Sequence, residues 1–466
     1  MKEKISKLIN EVLHSHQLPG VAVGIVLDGQ PFFAAGFGYR NIESKEPIME
    51  TSLFHLASIS KLFVATAIMQ LAEQGKLSLE DSLDHFLPYL KIENPFDSKI
   101  TIKHLLSHSA GFPDITNYHW DEPEHDDGAL ERYVRQLDFR LLSPPGKKFF
   151  YSNIAFEVLG HLVSKIAEMP FEEFINKNIL EPLGMSTSTH FRWMVSPDLA
   201  VSPHINDLTT HLSEIYPYHR AHSPSSTLHS SASEMNLWAM ANLKRGYSAN
   251  TLFLHPSAYD HMWKPMMPVE KVGRPDKYVG LGWFLDKHRG LSTVYHSGQD
   301  VGFSTYFVLI PERNIGVTVL CNTTPAPAEK IAYTLLDILI GHEPDPIKPP
   351  VIIPLGEVYR QGGVSAMRKL YNTLKTTYPT KYDFGASGFL DRSSTLLDSD
   401  RNSEAMDILQ FALELFPNNA TGYGLFARAN FQEGDMEQAL KCAMRSLEIE
   451  PNNVFLRQQI QPFLDQ

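Results

Sequence analysis

Phe54-His55-Leu56-Ala57-Ser58-Ile59-Ser60-Lys61 runs directly into Leu62-Phe63-Val64-Ala65-Thr66-Ala67-Ile68-Met69-Gln70-Leu71, where a loop gives way to an apolar helix. Residues at i and i+3 share a helix face one turn apart, so the amine of Lys61 can reach the hydroxyl of Ser58. A serine at a helix start also meets unpaired backbone N–H groups and the positive end of the helix dipole, which favour an oxyanion. A lysine drawn out of water holds its proton less tightly and can serve as a base. The plainer reading is structural: serine is a favoured N-cap, and lysine is common in a first turn. What separates the two readings is the company the pair keeps.

Further along the chain stand Ile100-Thr101-Ile102-Lys103-His104-Leu105-Leu106-Ser107-His108-Ser109-Ala110-Gly111-Phe112-Pro113-Asp114, then Pro145-Gly146 with Phe149-Phe150-Tyr151-Ser152-Asn153. Glu181-Pro182-Leu183-Gly184-Met185 and His296-Ser297-Gly298 with Val301-Gly302-Phe303 complete the series. In this order, over roughly residues 5–340, these motifs resemble the serine β-lactamase and penicillin-binding protein superfamily, in its class C β-lactamase-like branch. The resemblance implies that Ser58 attacks a carbonyl to form an acyl-enzyme and that Lys61 and Tyr151 share the proton transfers. Which of those two is the general base stays open. It further implies an oxyanion hole from the backbone N–H groups of Ser58 and Gln299. Asn153, His296, Ser297 and Gly298 would hold substrate, without metal or organic cofactor.

Each position also has an ordinary alternative. Tyr151 could be a core tyrosine with a satisfied hydroxyl, Asn153 could cap the helix that follows, and His296 could simply end a strand. His104 and His108 stand four apart, a spacing that zinc enzymes use, but no HExxH glutamate or third ligand accompanies them. The third motif opens with His296 where β-lactamases carry lysine. Histidine is mostly neutral at pH 7, which favours esterase or peptidase chemistry over β-lactam or D-alanyl-D-alanine carboxypeptidase activity. Ser223-Pro224-Ser225-Ser226-Thr227-Leu228 replaces a glycine pair frequent in relatives, and two serines there would narrow or polarise a wall of the cleft. A reading from another class, a non-catalytic penicillin-binding-like scaffold acting through its C-terminal segment, has to explain why Ser58, Lys61 and Tyr151 are all kept.

Strand patterns surround this helical middle. Val21 to Leu27 and Phe32 to Ala35 flank Asp28-Gly29, a strong hairpin signal. Strands return at Val279 to Leu285, Thr305 to Ile310 and Ile315 to Leu320, the last two joined by Pro311-Glu312-Arg313-Asn314. Strands at both ends of a domain, with helices inserted between, predict an α+β fold: an antiparallel sheet flanked by helices with an all-helical insertion. The proline-rich stretch Glu343 to Pro350 reads as a linker. Beyond it, Phe416-Pro417-Asn418-Asn419 recurs as Glu450-Pro451-Asn452-Asn453, an offset of 34 residues shared by Ala405 and Ala439, Leu413 and Leu447, and Gly388 and Gly422. That period resembles tetratricopeptide repeats, and Val364 to Pro379 reads as a degenerate earlier copy. The expected organisation is a hydrolase domain over 1–342, a linker over 343–354 and an all-α helical-repeat domain over 355–466.

The chain has 466 residues, 43% of them hydrophobic and 20% charged, an ordinary globular balance, with a formal net charge of −12. That sign argues against nucleic-acid and polybasic membrane contacts. No run approaches the ~20 apolar residues of a spanning helix, and the first residues lack the apolar core of a signal peptide. A cytoplasmic protein is expected, or a periplasmic one if a leader was removed. Cys321 and Cys442 are too few and too distant for a disulfide framework or a metal site. The expected partners are a small-molecule or peptide substrate and, through the repeats, a protein partner or a second copy of the chain.

Overall fold

Alternation of side chains along the strands decides how the main sheet is covered. The structure is a computed structural model describing residues 1–451 apart from 116, 249–250 and 270–276. Its principal sheet contains β1 (Gly20–Leu27), β2 (Gln30–Asn41), β3 (Glu46–Pro47), β4 (Met267–Pro268), β5 (Tyr278–Val279), β6 (Phe284–His288), β7 (Leu291–Asp300), β8 (Phe303–Ile310) and β9 (Ile315–Cys321). The spatial order is β4-β5-β6-β7-β8-β9-β1-β2-β3, with every pairing antiparallel. β1 and β9 therefore lie side by side although nearly the whole domain separates them in sequence. Asp28 and Gly29 both take the left-handed conformation, φ 52° and 72°, as a two-residue hairpin turn requires.

Val21, Val23, Ile25, Val308, Ile310, Val317 and Val319 face one side of the sheet. There they meet Ile5, Ile9 and Val12 of α1 (Lys2–Ser15) and Ile331, Leu335 and Leu336 of a later helix (Ala328–Leu339). Ala22, Phe307, Leu309 and Leu320 point the other way, into the larger core. That core is built with α2 (Ser60–Glu73), α3 (Asn153–Ala167) and α4 (Ala232–Leu243). The period-two pattern buries both faces, and the helical insertion packs on the face that carries α2.

Val279 to Leu285 is two strands, not one. Gly280 to Trp283 turns the chain between β5 and β6, with Gly282 at φ +79° and its Cα against Ala65 of α2, so a side chain there would collide at 2.6 Å. The apolar run is continuous because both strands and the turn are packed, which hides the reversal from a reading of periodicity.

The chain after Pro350 is helical: α5 (Ile352–Thr377), α6 (Ser387–Asp398), α7 (Asn402–Leu415), α8 (Ala420–Gln432) and α9 (Met436–Ile449). The backbone leaves helical geometry at Gly362 and Gly363 inside α5. Phe416-Pro417-Asn418-Asn419 closes α7 and opens α8, where Asn419 accepts the N–H of Gly422 at 2.7 Å. In the second copy of that run, Asn452-Asn453 lies outside the described residues. These helices rest on the sheet-containing part of the molecule. Leu208 belongs to their apolar cluster, and Arg401 pairs with the buried Asp207. Among the described residues, no helix is long and apolar enough to cross a membrane.

Candidate active site

Ser58 is the middle residue of a single 3-10 turn, Ala57–Ile59, that feeds α2. Ala57 is held at φ +50°, a left-handed conformation that costs a non-glycine residue roughly 1–2 kcal/mol. Several contacts enforce it. Ser60 donates its hydroxyl to the Ala57 carbonyl at 2.7 Å, and Thr305 of β8 donates to the Leu56 carbonyl at 2.8 Å. Gly298 of β7 lies so close beneath the turn that a Cβ would sit 2.3 Å from the Leu56 carbonyl oxygen and 3.0 Å from the Ala57 Cβ. The third motif thus supports the first, and its glycine is required by close approach.

Lys61 follows one turn later with its side chain fully buried. Its amine donates to Ser58 Oγ at 2.9 Å and to the Ser225 carbonyl at 2.7 Å. Tyr151, in the loop before α3, donates to the same Ser58 Oγ at 3.0 Å. Burial lowers the pKa of Lys61 to about 8, against the pull of Glu157, Asp114 and Asp300. Burial drives Tyr151 the opposite way, holding its phenol neutral. Ser58 itself is only partly buried and so open to an incoming carbonyl.

Asn153 is the first residue of α3, but the cap is Ser152, whose hydroxyl accepts the Ala155 N–H. The Asn153 amide instead donates to both carboxylate oxygens of Asp114, at 3.0 and 3.2 Å, and its backbone N–H donates to Asp114 Oδ1 at 2.8 Å. His108 underlies Tyr151: the rings stack 4.4 Å apart, and His108 Nδ1 accepts the Ser152 N–H at 3.1 Å. His104 has a separate task in the capping box of the helix Ile102–Leu106. Of the two histidines of that motif, His104 is spent on local structure and His108 on supporting the second motif.

His296 is buried on β7, its Nδ1 bonded to the Ser297 carbonyl at 2.6 Å. Burial and the nearby Lys61 lower its pKa to about 3, so the ring is neutral. Its Nε2 has no hydrogen-bond partner among the described residues. Pairing of β7 with β6 ends at Tyr295, and from His296 to Asp300 the strand pairs with β8 alone. Ser297 and Gln299 are exposed along this stretch.

The serines expected to narrow the cleft wall point inward. Ser225 and Ser226 are buried, and Ser226 donates to Asp300, which also engages His55 at 2.9 Å. Ser225 donates to the buried Glu157 at 2.5 Å. Motif reading gives no role in this site to Glu157, His108, Asp114, Asp300 and His55, and each is brought in by tertiary contact.

Residues 5–340 match the Beta-lactamase family profile, most of the chain. This chain belongs to the beta-lactamase family. Residues 396–458 match a Tetratricopeptide repeat profile. Protein flp of Staphylococcus aureus (strain N315) is 27% identical over 348 residues, 73% of this chain and 67% of that protein. Penicillin-binding protein 4* of Bacillus subtilis (strain 168) is 30% identical over 203 residues, 42% of this chain and 43% of that one. Among solved structures, the octameric penicillin-binding protein homologue from Pyrococcus abyssi superposes with a TM-score of 0.67 at 29% identity, covering 77% of this chain and 81% of its own. EstCE1, a hydrolase with promiscuous acyltransferase activity, shares the fold, with a TM-score of 0.59 at 23% identity over 69% of this chain and 93% of its own. As a member of the beta-lactamase family, the chain is a serine hydrolase that works through an acyl-enzyme.

Proposed function

We propose that this beta-lactamase family member is a class C-like esterase or peptidase with Ser58 as nucleophile and Lys61 as general base. The observation that carries the reading is the double hold on Ser58 Oγ, by Lys61 at 2.9 Å and Tyr151 at 3.0 Å. Of the two, Lys61 has the pKa nearer neutrality, about 8, while Tyr151 keeps its proton. Neutral Lys61 takes the Ser58 proton as Oγ attacks, and the Tyr151 hydroxyl carries a proton toward the leaving group. The backbone N–H groups of Ser58 and Gln299 receive the oxyanion. Losing one donor of that kind costs on the order of 3 kcal/mol in comparable sites.

The substrate class follows from charge. His296 is neutral where a lysine would attract a carboxylate, and the Asn153 amide is engaged by Asp114. Asp114 and Asp300 add negative potential, so the site favours a neutral ester or amide, or one bearing an amine, over an anionic β-lactam. Initial rates on a p-nitrophenyl ester, a D-amino-acid amide and nitrocefin test this ranking. Ester or amide turnover should exceed that of nitrocefin, and the reverse order would overturn it. In this reading the C-terminal helices supply a surface for a protein partner, and no metal or organic cofactor takes part.

A further inference from the structure

Glu157 lies on α3 one turn beyond Asn153, on the same helix face. Its side chain is fully buried, as are those of His222 and Ser225. A carboxylate out of water is costly unless it is paired, so a glutamate here calls for a cause. Its Oε1 accepts the Ser225 hydroxyl at 2.5 Å and meets His222 Nδ1 at 3.2 Å, while Oε2 has no hydrogen-bond partner among the described residues. The carbonyl of the same Ser225 receives the Lys61 amine at 2.7 Å. One residue therefore links the carboxylate to the amine, hydroxyl at one end and carbonyl at the other. The rings of Tyr118, Trp120 and Tyr133 close around His222 at 4.9–5.5 Å.

We infer that Glu157 is a positioning residue for acyl transfer: through Ser225 it fixes the Lys61 amine against Ser58, and its charge stabilises the ammonium that Lys61 becomes. This rests on Ser58 as nucleophile and Lys61 as base. During acylation the Oγ–carbon bond forms, the carbonyl π pair moves onto oxygen, and the Oγ proton passes to Lys61 Nζ. Collapse restores the carbonyl and breaks the bond to the leaving group, which receives the proton that left Ser58 from the Lys61–Tyr151 pair. Between these events Lys61 is a buried cation. The groups that face it are Glu157 from α3, Tyr151 from the loop before it, His108 and Asp114 from the segment after the helix Ile102–Leu106, and His296 and Asp300 from β7. Those that face Glu157 are His222, Tyr118, Tyr133, Tyr151 and Lys61 itself. Asp114 is engaged by Asn153, and Asp300 by His55 and Ser226. Glu157 is the carboxylate joined to the amine through a single residue.

The test uses the full chain and a p-nitrophenyl ester, reading kcat and KM across pH for wild type, Glu157→Gln and Ser225→Ala. Glutamine keeps the shape and the acceptor for Ser225 but removes the charge, so Lys61 should release its proton more readily. The midpoint of the rising limb should move about one unit to lower pH, with plateau kcat down about tenfold and KM within about twofold. A midpoint that does not move overturns the inference, whether or not kcat falls, because a merely structural role for Glu157 would leave it in place. Should Glu157→Gln not fold, Ser225→Ala decides: the inference requires a kcat loss of about threefold or more with the carboxylate retained, and an unchanged kcat contradicts it. Wild-type turnover that survives Ser58→Ala would instead sink the underlying assignment, an outcome distinct from an unmoved profile in an enzyme that depends on Ser58.

Discussion

Ser58 Oγ accepts hydrogen bonds from both Lys61 and Tyr151, and burial moves the two donors in opposite directions. Below about pH 8 the Lys61 amine is protonated and cannot accept the Ser58 proton. With kcat/KM following the neutral amine, it should rise about tenfold per pH unit on the acid side and level off above the lysine's pKa. A stopped-assay pH series on an ester checks this, and a rate that falls as pH rises through that range would exclude neutral Lys61 as the base. Removing the amine with Lys61→Ala should lower kcat by about 10²-fold or more. Near-wild-type rates in that variant would remove Lys61 from the mechanism.

At the scale of elements, the site is where the turn before α2, the loop before α3 and strand β7 meet. Gly298 is the closest point of that meeting, with the Leu56 carbonyl and Thr305 Oγ1 each 2.3 Å from where a Cβ would stand. Both neighbours belong to backbone or to a bonded side chain, so neither can give way cheaply. Gly298→Ala should push β7 off the turn and lower kcat/KM by about 10²-fold, the scale of a displacement near 1 Å. Full activity in this variant would show that β7 does not position the nucleophile.

The three motifs could be read in the sequence because each is local: a turn, a helix start and a stretch of one strand with characteristic residues. The sheet was legible for the same reason, through alternation and the Asp28-Gly29 turn. What escaped was set by contacts between distant segments. Asp114 claims the Asn153 amide across 39 residues, and Ser225 claims Glu157 across 68. No periodicity reports such pairs. The reversal at Gly282 was hidden because the apolar run continues through the turn.

For the whole molecule, the C-terminal helices are tied to the rest through Leu208 and the Asp207–Arg401 pair. Asp207 is buried while Arg401 is about one-third exposed, so the pair is only partly shielded from solvent. Arg401→Ala leaves Asp207 with the Thr209 N–H at 3.1 Å and the adjacent Leu208 N–H. It should destabilise the protein by about 1–3 kcal/mol, the cost of a buried charged group losing a partner. Thermal unfolding measures that loss, and an unchanged midpoint would mean the ion pair does not secure the helices. The central claim is that acyl transfer runs on Ser58. Treating the full-length protein with a serine-reactive fluorophosphonate and mapping the adduct by peptide mass spectrometry tests it most directly. The account predicts the adduct on Ser58, with labelling and ester hydrolysis both lost in Ser58→Ala; hydrolysis persisting at the wild-type rate in that variant would contradict it.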